Sequence, residues 1–401
     1  MPKILRIINR FNLGGPIYNA AYLSKYLNSD FETLLIGGAK DKTEANSEYI
    51  VNNLGIKPII IDDMKREINI AKDYKAFNKL DKIIKDYKPD IVHTHASKAG
   101  ALGRYAAYKN KVPVIIHTFH GHVFDAYFSS VQSNFYKHLE RKLANISTRI
   151  IAISEEQKKD LAHKYNICEE KKIELIKLGF DLERFNQNIE EKRTQFRDKY
   201  LIDDDEVAIA ITGRLVPIKN HKMFLEAVAQ VLNKTSKKIR IFIVGDGESR
   251  KEIEDKAKEL ELDFVDFTLE QRKATISFTS WLKDVDVVNA GVEIVALTSL
   301  NEGTPVSLIE AQASGKPIAT TDVGGISNIV IPGKSALLSP SDDADAFANN
   351  LLKLVEDKAL RDEMSGKAKD FVMEHFHYSR LVNDMSELYY RLLEEVKSKK
   401  A

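Results

Sequence analysis

A single cysteine, Cys168, occurs in 401 residues. That excludes an internal disulfide and a cysteine-rich metal centre, and it points to a reducing, cytoplasmic setting. Long apolar runs are missing too. The longest, such as "VPVII" and "RIFIVG", are strand-sized and far short of the ~18 residues of a membrane span. The N-terminus "MPKILRIINRF" mixes charge with apolar residues and reads as a strand rather than a secretion signal. The phosphate-loop pattern G-x-x-x-x-G-K-[ST] and the hydrolase pattern G-x-S-x-G are absent. So is G-x-G-x-x-G, and no acidic residue closes the run "TLLIGG", which argues against a dinucleotide cofactor.

What remains is a soluble globular composition, 43% hydrophobic and 30% charged, with a length that suits two domains. Apolar strand-sized runs alternate with helical patterns from "KILRIIN" to "KIELIKLGFD". The alternation restarts at "VAIAITGRL" after a polar join beginning near Phe185. Strands interleaved with helices predict parallel sheets covered on both faces. The expected fold class is α/β: two facing Rossmann-like doubly wound domains with a cleft at the sheets' C-terminal edges. The charged helix beginning at Tyr378 can pack on either domain.

The richest stretch is "LTSLNEGTPVSLIEA", residues 297–311. A compact apolar strand ends in turn chemistry over Asn301–Pro305, and Pro305 suits the first turn of a helix that ends near Gly315. Glu302 therefore lies on a strand-end loop with Gly303, and Glu310 lies more than a turn into the helix. Free amides near Val306–Leu308 make an anion site. Gly213–Arg214–Leu215 closes the first strand of the second domain, and Lys219 follows five residues after Arg214. Arg forks two oxygens and Lys adds a point charge, so the pair suits a diphosphate. Gly14–Gly15–Pro16 and "GDGE" (Gly245–Glu248) also close strands and let backbone approach a ligand.

Five histidines cluster in "HTH" (His93, His95) and "HTFHGH" (His117, His120, His122). They lack neighbouring carboxylates or thiolates at metal-site spacing, so no metal is assigned. His120, at a strand end, is placed as a polar cleft residue, and His93 and His117 as core or hydrogen-bonded groups. Asp284–Val285–Asp286 and the Asp203–Asp205 run fit a loose D-x-D pattern but are read as structural.

In order, "GGPIYN", "HTFHG", "LGFDLERF", "GRLVPIKN", "VGDGE" and "EGTPVSLIEAQASGKPI" resemble the retaining nucleotide-sugar glycosyltransferases of the glycosyltransferase-B fold, the large fourth family of group 1 type. The resemblance spans nearly the whole chain. It implies that Arg214 and Lys219 hold the donor diphosphate, that Glu302 contacts the donor sugar and that Glu310 contacts the ribose. Amides after Pro305 would join the diphosphate site, with Gly303, Val306 and Gly245 beside it. Gly14 and Gly15 would close on the diphosphate, and His120 would stand near the donor sugar. Such enzymes need no metal and no cofactor; the nucleotide sugar is a substrate. UDP-sugar is the expected donor, a glycan or lipid-linked sugar the acceptor, and cell-surface polysaccharide or glycolipid assembly the setting. The C-terminal helix would cross back, giving domains 1–185 plus 378–401 and 186–377. One departure is "ISFTSWLKD", which lacks the glycine many relatives carry where backbone meets the base.

Charge is unevenly spread: 30 lysines and arginines face 23 acidic residues over 1–190, leaving 30 against 36 in the remainder. Over 91–150 the ratio is eight to two, interleaved with Phe124, Tyr127, Phe128, Phe135 and Tyr136. That pattern reads either as a face for anionic lipid or a lipid-diphosphate-linked sugar, or as a solvated helix over an aromatic core. No nucleic-acid motif is visible. A nucleotide-sugar 2-epimerase and a non-catalytic nucleotide-sugar-binding scaffold are the rival readings.

Overall fold

The computed structural model describes residues 1–11, 15–27, 29–39, 48–65, 67–121 and 130–398. Gly14, His122, Phe124, Tyr127 and Phe128 lie outside them. The chain divides into two compact units, one of residues 1–180 and 376–401, the other of 181–375.

Unit 1 holds β1 (Lys3–Arg10), β2 (Glu32–Gly38), β3 (Ile59–Ile60), β4 (Ile91–His95), β5 (Val114–Thr118), β6 (Arg149–Ala152) and β7 (Ile173–Leu175). They form a parallel sheet in the order β3-β2-β1-β4-β5-β6-β7. Both faces are covered. Ile4 packs with Leu23 and Leu388 on one side, and its neighbour Leu5 packs with Leu80 and Ala99 on the other. That is why the strands read as continuous apolar runs rather than alternating ones. The C-terminal helix Tyr378–Ser398 belongs to this unit. It buries Leu381, Val382, Met385, Leu388, Tyr389 and Leu392, a stripe at helical spacing. Each such side chain contributes about 1.5–3 kcal/mol of transfer free energy, which ties the chain's end to its beginning.

Unit 2 repeats the architecture with β8 (Val207–Thr212), β9 (Ile239–Val244), β10 (Phe264–Asp266), β11 (Ile276–Ser280), β12 (Ile294–Leu297), β13 (Ile318–Thr321) and β14 (Ala336–Ser339). The order is β10-β11-β9-β8-β12-β13-β14, again all parallel. In each sheet the strand order reverses beside the unit's first strand, between β1 and β4 and between β8 and β12. Ligands of open α/β sheets bind outside the carboxyl ends of such strand pairs.

The units part at 180/181 and 375/376, not at 185 and 377 as the sequence suggested. Phe185 is buried, and Arg184 reaches Asp286 (3.9 Å) and Glu310 (3.8 Å), which fixes the turn Glu183–Asn186 on unit 2. At the other crossing Phe180 N–H donates to the Phe376 carbonyl (2.8 Å) and Tyr378 N–H to the Phe180 carbonyl (2.9 Å), so residues 376–378 stay with unit 1. No described helix is long and apolar enough to cross a membrane.

Candidate active site

In unit 2 the candidate residues stand on the loops after β8 and β12. After β8 the chain makes a single turn, Pro217–Lys219, and Asn220 takes a left-handed conformation (φ 50°) before the helix His221–Lys234. The Thr298 hydroxyl donates to the carbonyls of Lys219 (3.0 Å) and Asn220 (3.1 Å), and Leu300 N–H donates to Ile218 (2.8 Å). These bonds fasten the two loops together. They set the Lys219 ammonium directly against Glu302, whose Oε1 also accepts from the Ser299 hydroxyl (2.6 Å). Glu302 is anchored from below as well: its carbonyl accepts from Gly325 N–H (3.0 Å). Gly324 sits at φ +52°, where a Cβ would come within 2.0 Å of that same carbonyl. The Gly324–Gly325 pair was missed in the sequence, where two glycines after a strand were the available signal.

Arg214 shares the β8 loop but points outward, 4.0 Å from Glu248, with both side chains more than two-thirds exposed. Such a pair holds little energy and leaves the guanidinium available to a ligand. The helix Val306–Ala313 starts from Pro305, which is its cap rather than its first residue. Leu308 N–H is already bonded to the Pro305 carbonyl (3.1 Å). The free amides are therefore narrower than the expected 306–308 span. Gly303 and Gly245 differ. A Cβ on Gly303 would meet nothing within 4 Å, so that residue leaves open space. Gly245, at φ +142°, lies where a Cβ would stand 1.8 Å from the Gly213 carbonyl. Gly245 thus lets two strand-end loops touch each other, a structural need the sequence reading had assigned to ligand approach.

Glu310 lies in the same helix with a fifth of its side chain exposed, 3.8 Å from Arg184. Burial pushes its carboxyl up to about 7; Arg184 opposes the shift and Asp286 adds to it. Asp286 is itself paired with Lys192 (2.8 Å), and Asp203 and Asp205 pair with Lys273 and Lys238. Asp286 of the first D-x-D stretch and Asp203 and Asp205 of the second are thus engaged in ion pairs. Among the described residues no group of three His, Cys, Asp or Glu is placed to hold a metal.

In unit 1 the histidines separate by strand face. His93 and His95, two apart on β4, lie on one face, with ring centroids 4.3 Å apart and the rings tilted by 31°. His93 Nδ1 is 2.6 Å from the Tyr389 hydroxyl and its Nε2 is 2.8 Å from the Thr118 hydroxyl. Arg6, fully buried, donates to the same Tyr389 oxygen (3.0 Å). His120, just past β5, brings Nε2 to 3.0 Å from His95 Nδ1. On the other face His117 meets the Thr94 hydroxyl (2.9 Å) against Gly100, where a Cβ would stand 2.5 Å from the imidazole. Burial depresses His93, His95 and His117 well below the usual imidazole value and His120 to about 4. All four rings are therefore neutral at pH 7. Arg6 and Tyr389 carry no signal in the sequence, and His95 stands in the histidine cluster there without a role, although the two-residue spacing of "HTH" marks one shared face. Gly15 begins the helix Gly15–Tyr26 that follows β1.

The basic stretch 91–150 does not form one charged face. Arg104 is buried on Glu140 (2.6 Å), Lys98 pairs with Asp73 (2.6 Å), Lys109 with Asp81 (3.3 Å) and Arg149 with Glu174 (3.3 Å). Arg141 donates to the Tyr165 and Asn166 carbonyls, and Lys137 lies over the Tyr165 ring. Four of the eight lysines and arginines of this stretch are thus paired with carboxylates inside the unit.

These features match known proteins over the whole chain. The family described as Glycosyltransferase Family 4 matches residues 15–184, and Glycosyl transferases group 1 matches 192–371. A UDP-Gal:alpha-D-GlcNAc-diphosphoundecaprenol alpha-1,3-galactosyltransferase of Escherichia coli is 30% identical over 336 residues, 83% of this chain and 84% of its own. The capsular polysaccharide biosynthesis glycosyltransferase CapM of Staphylococcus aureus is 26% identical over 349 residues, 84% and 86% of the two chains. The crystal structure of Anabaena HepE in complex with UDP aligns with a TM-score of 0.79 at 18% identity, covering 97% of this chain and all of that one. Two parallel seven-stranded units of this kind form the glycosyltransferase-B fold. Within that class, the chain belongs to the group 1 glycosyltransferases.

Proposed function

We propose that this enzyme moves a sugar from a UDP-sugar to a glycan or lipid-linked acceptor, with retention at the anomeric carbon and without a metal ion. We place it in the cytoplasm, in cell-surface polysaccharide or glycolipid assembly. The observation that carries the reading is the Lys219–Glu302 pair, held at a strand-end loop beside the start of the helix Val306–Ala313. Lys219 and Arg214 would take the diphosphate oxygens, and the Val306 end of the helix would add its dipole. Once the diphosphate engages Lys219, Glu302 is free to accept hydrogen bonds from donor-sugar hydroxyls. Glu310 would accept from the ribose. Together the cations and the helix end supply the charge stabilisation of the leaving diphosphate that a divalent cation gives elsewhere. In unit 1, Gly14 and Gly15 would approach the diphosphate and His120 the donor sugar. The uridine and the acceptor class are supported by the name of the E. coli relative and by the UDP in the HepE complex.

The test is a thermal-shift screen of UDP-, GDP- and ADP-sugars in EDTA, followed by anomer analysis of the product. A ligand at ~100 Kd stabilises by about 2.7 kcal/mol. The expected result is a shift with a UDP-sugar that disappears in Glu310→Ala and Arg214→Ala. A shift that needs a divalent cation would sink the metal-free part. No shift with any nucleotide sugar would sink the whole reading.

A further inference from the structure

The four-part contact Arg6–Tyr389–His93–Thr118 has its protons fixed by chemistry. Arg6 can only donate, so the Tyr389 oxygen accepts from it and its own proton goes to His93 Nδ1. Burial raises the Tyr389 phenol, which keeps that proton in place. His93 then carries its proton on Nε2 and donates to Thr118. The neighbouring ring of His95 is not fixed in this way. It shares one proton with His120 across the 3.0 Å between His95 Nδ1 and His120 Nε2. Since both rings are neutral, their tautomers are locked to each other: one ring donates and the other accepts. The two remaining nitrogens, His95 Nε2 and His120 Nδ1, are buried and have no partner.

Resting on the proposed role of His120 at the donor sugar, we propose that His95 is a positioning residue. It donates from Nδ1 to His120 Nε2, so that His120 presents Nδ1–H to a ligand oxygen as a hydrogen-bond donor. One consideration chooses this direction over its reverse. His95 is fully buried whereas His120 is partly exposed, so the His120 orphan is the one a ligand can reach and the orphan that persists is His95 Nε2. An under-satisfied buried acceptor is tolerated better than an orphaned N–H. His120 then serves as a fixed donor in the chemical step and not as a base.

The first readout needs no substrate. In the full chain with isotope-labelled histidine nitrogens, proton–nitrogen correlation spectra distinguish the two tautomers, and His120→Gln assigns the His120 signals. The expected result is an Nδ1-protonated His120 in the wild type and in His95→Asn, whose amide can still donate. His95→Asp, an acceptor only, should switch His120 to the Nε2-protonated form. If His95→Asp does not fold, His95→Ala serves, and it should convert the single pattern into a mixture. A wild-type His120 protonated on Nε2, or one unchanged by His95→Asp and His95→Ala, overturns the proposal.

The second readout is kcat with the nucleotide sugar that the wild type turns over. His95→Asp should lower kcat about 10²-fold with little change in KM, while His95→Asn stays within about tenfold. Equal rates in those two variants overturn the positioning role. Full kcat in His120→Gln would instead remove His120 from the reaction while leaving the tautomer result intact.

Discussion

The two units hold their candidate residues in opposite ways. In unit 1 polar groups are buried on the sheet face as neutral imidazoles, held by one tyrosine and one arginine. In unit 2 the groups are charged and stand on loops past the strand ends, from the largely covered Lys219–Glu302 pair to the outward Arg214. The difference follows from desolvation. A neutral ring can be buried if its hydrogen bonds are met, whereas an ion must stay wet or stay paired. Unit 1 is thus preorganised by packing. Unit 2 is preorganised by charge, with Glu302 occupying Lys219 until an anion arrives.

The largest expected effect tests the charged half. Lys219→Ala removes the proposed diphosphate contact and leaves Glu302 without its cation, so kcat/KM with the best UDP-sugar should fall about 10³-fold. Because the two side chains touch, adding Glu302→Ala should cost much less than its effect alone. Independent, multiplying losses would break the picture of a pre-paired site.

The packed half is tested by Tyr389→Phe. The hydroxyl that joins Arg6 to His93 disappears, and two buried polar groups lose a partner at once. A loss of about 1–3 kcal/mol is expected, read as faster hydrogen exchange of the β4 and β5 amides. Unchanged protection would mean that the network is not holding unit 1 together.

Glu310 is the exception in unit 2, a carboxyl raised to about 7 by burial. Its folded value lies above its ordinary one. Its contribution to stability is therefore present in full below about 4.5 and is lost as pH rises through about 7. For nucleotide binding the sign is reversed. A ribose diol donates to the ionised form, so the complex holds fewer protons than the free chain. UDP affinity should accordingly rise by about tenfold between pH 6 and 8. Calorimetry across that range checks it, with Glu310→Gln expected to flatten the dependence. A wild-type affinity independent of pH would remove Glu310 from the ribose.

Much of this was legible in the sequence, because parallel strands covered on both faces are continuous apolar runs and their ends are marked by glycine and proline. Glu302 on the loop and Glu310 in the helix follow from local periodicity alone. The short edge strand β10 escaped, since three residues ending in Asp266 carry too little apolar signal. Long-range pairings escaped for a different reason: Arg6 and Tyr389 are 383 positions apart, and no local pattern joins them. The missing glycine in "ISFTSWLKD" has a structural answer. Ser280 itself adopts the left-handed conformation, φ 58°, with its hydroxyl 3.3 Å from Asp246. Ser280 thus holds a conformation that glycine adopts more readily.

The smallest expected effect separates two glycines that look alike in sequence. Gly303→Ala places a methyl in open space beside Glu302, and Gly303 does not have a positive φ. Stability should stay within about 0.5 kcal/mol. Any loss in that variant should then appear in KM for the UDP-sugar, because the added methyl can only meet a ligand. Gly245→Ala must instead push apart the loops after β8 and β9, since its Cβ would overlap the Gly213 carbonyl. It should lower the melting temperature before any substrate is added. If Gly303→Ala destabilises the unliganded chain while Gly245→Ala spares it, the loop geometry that places Arg214 and Glu302 is wrong. If Gly303→Ala raises KM alone, the open space beside Glu302 is where the donor lies.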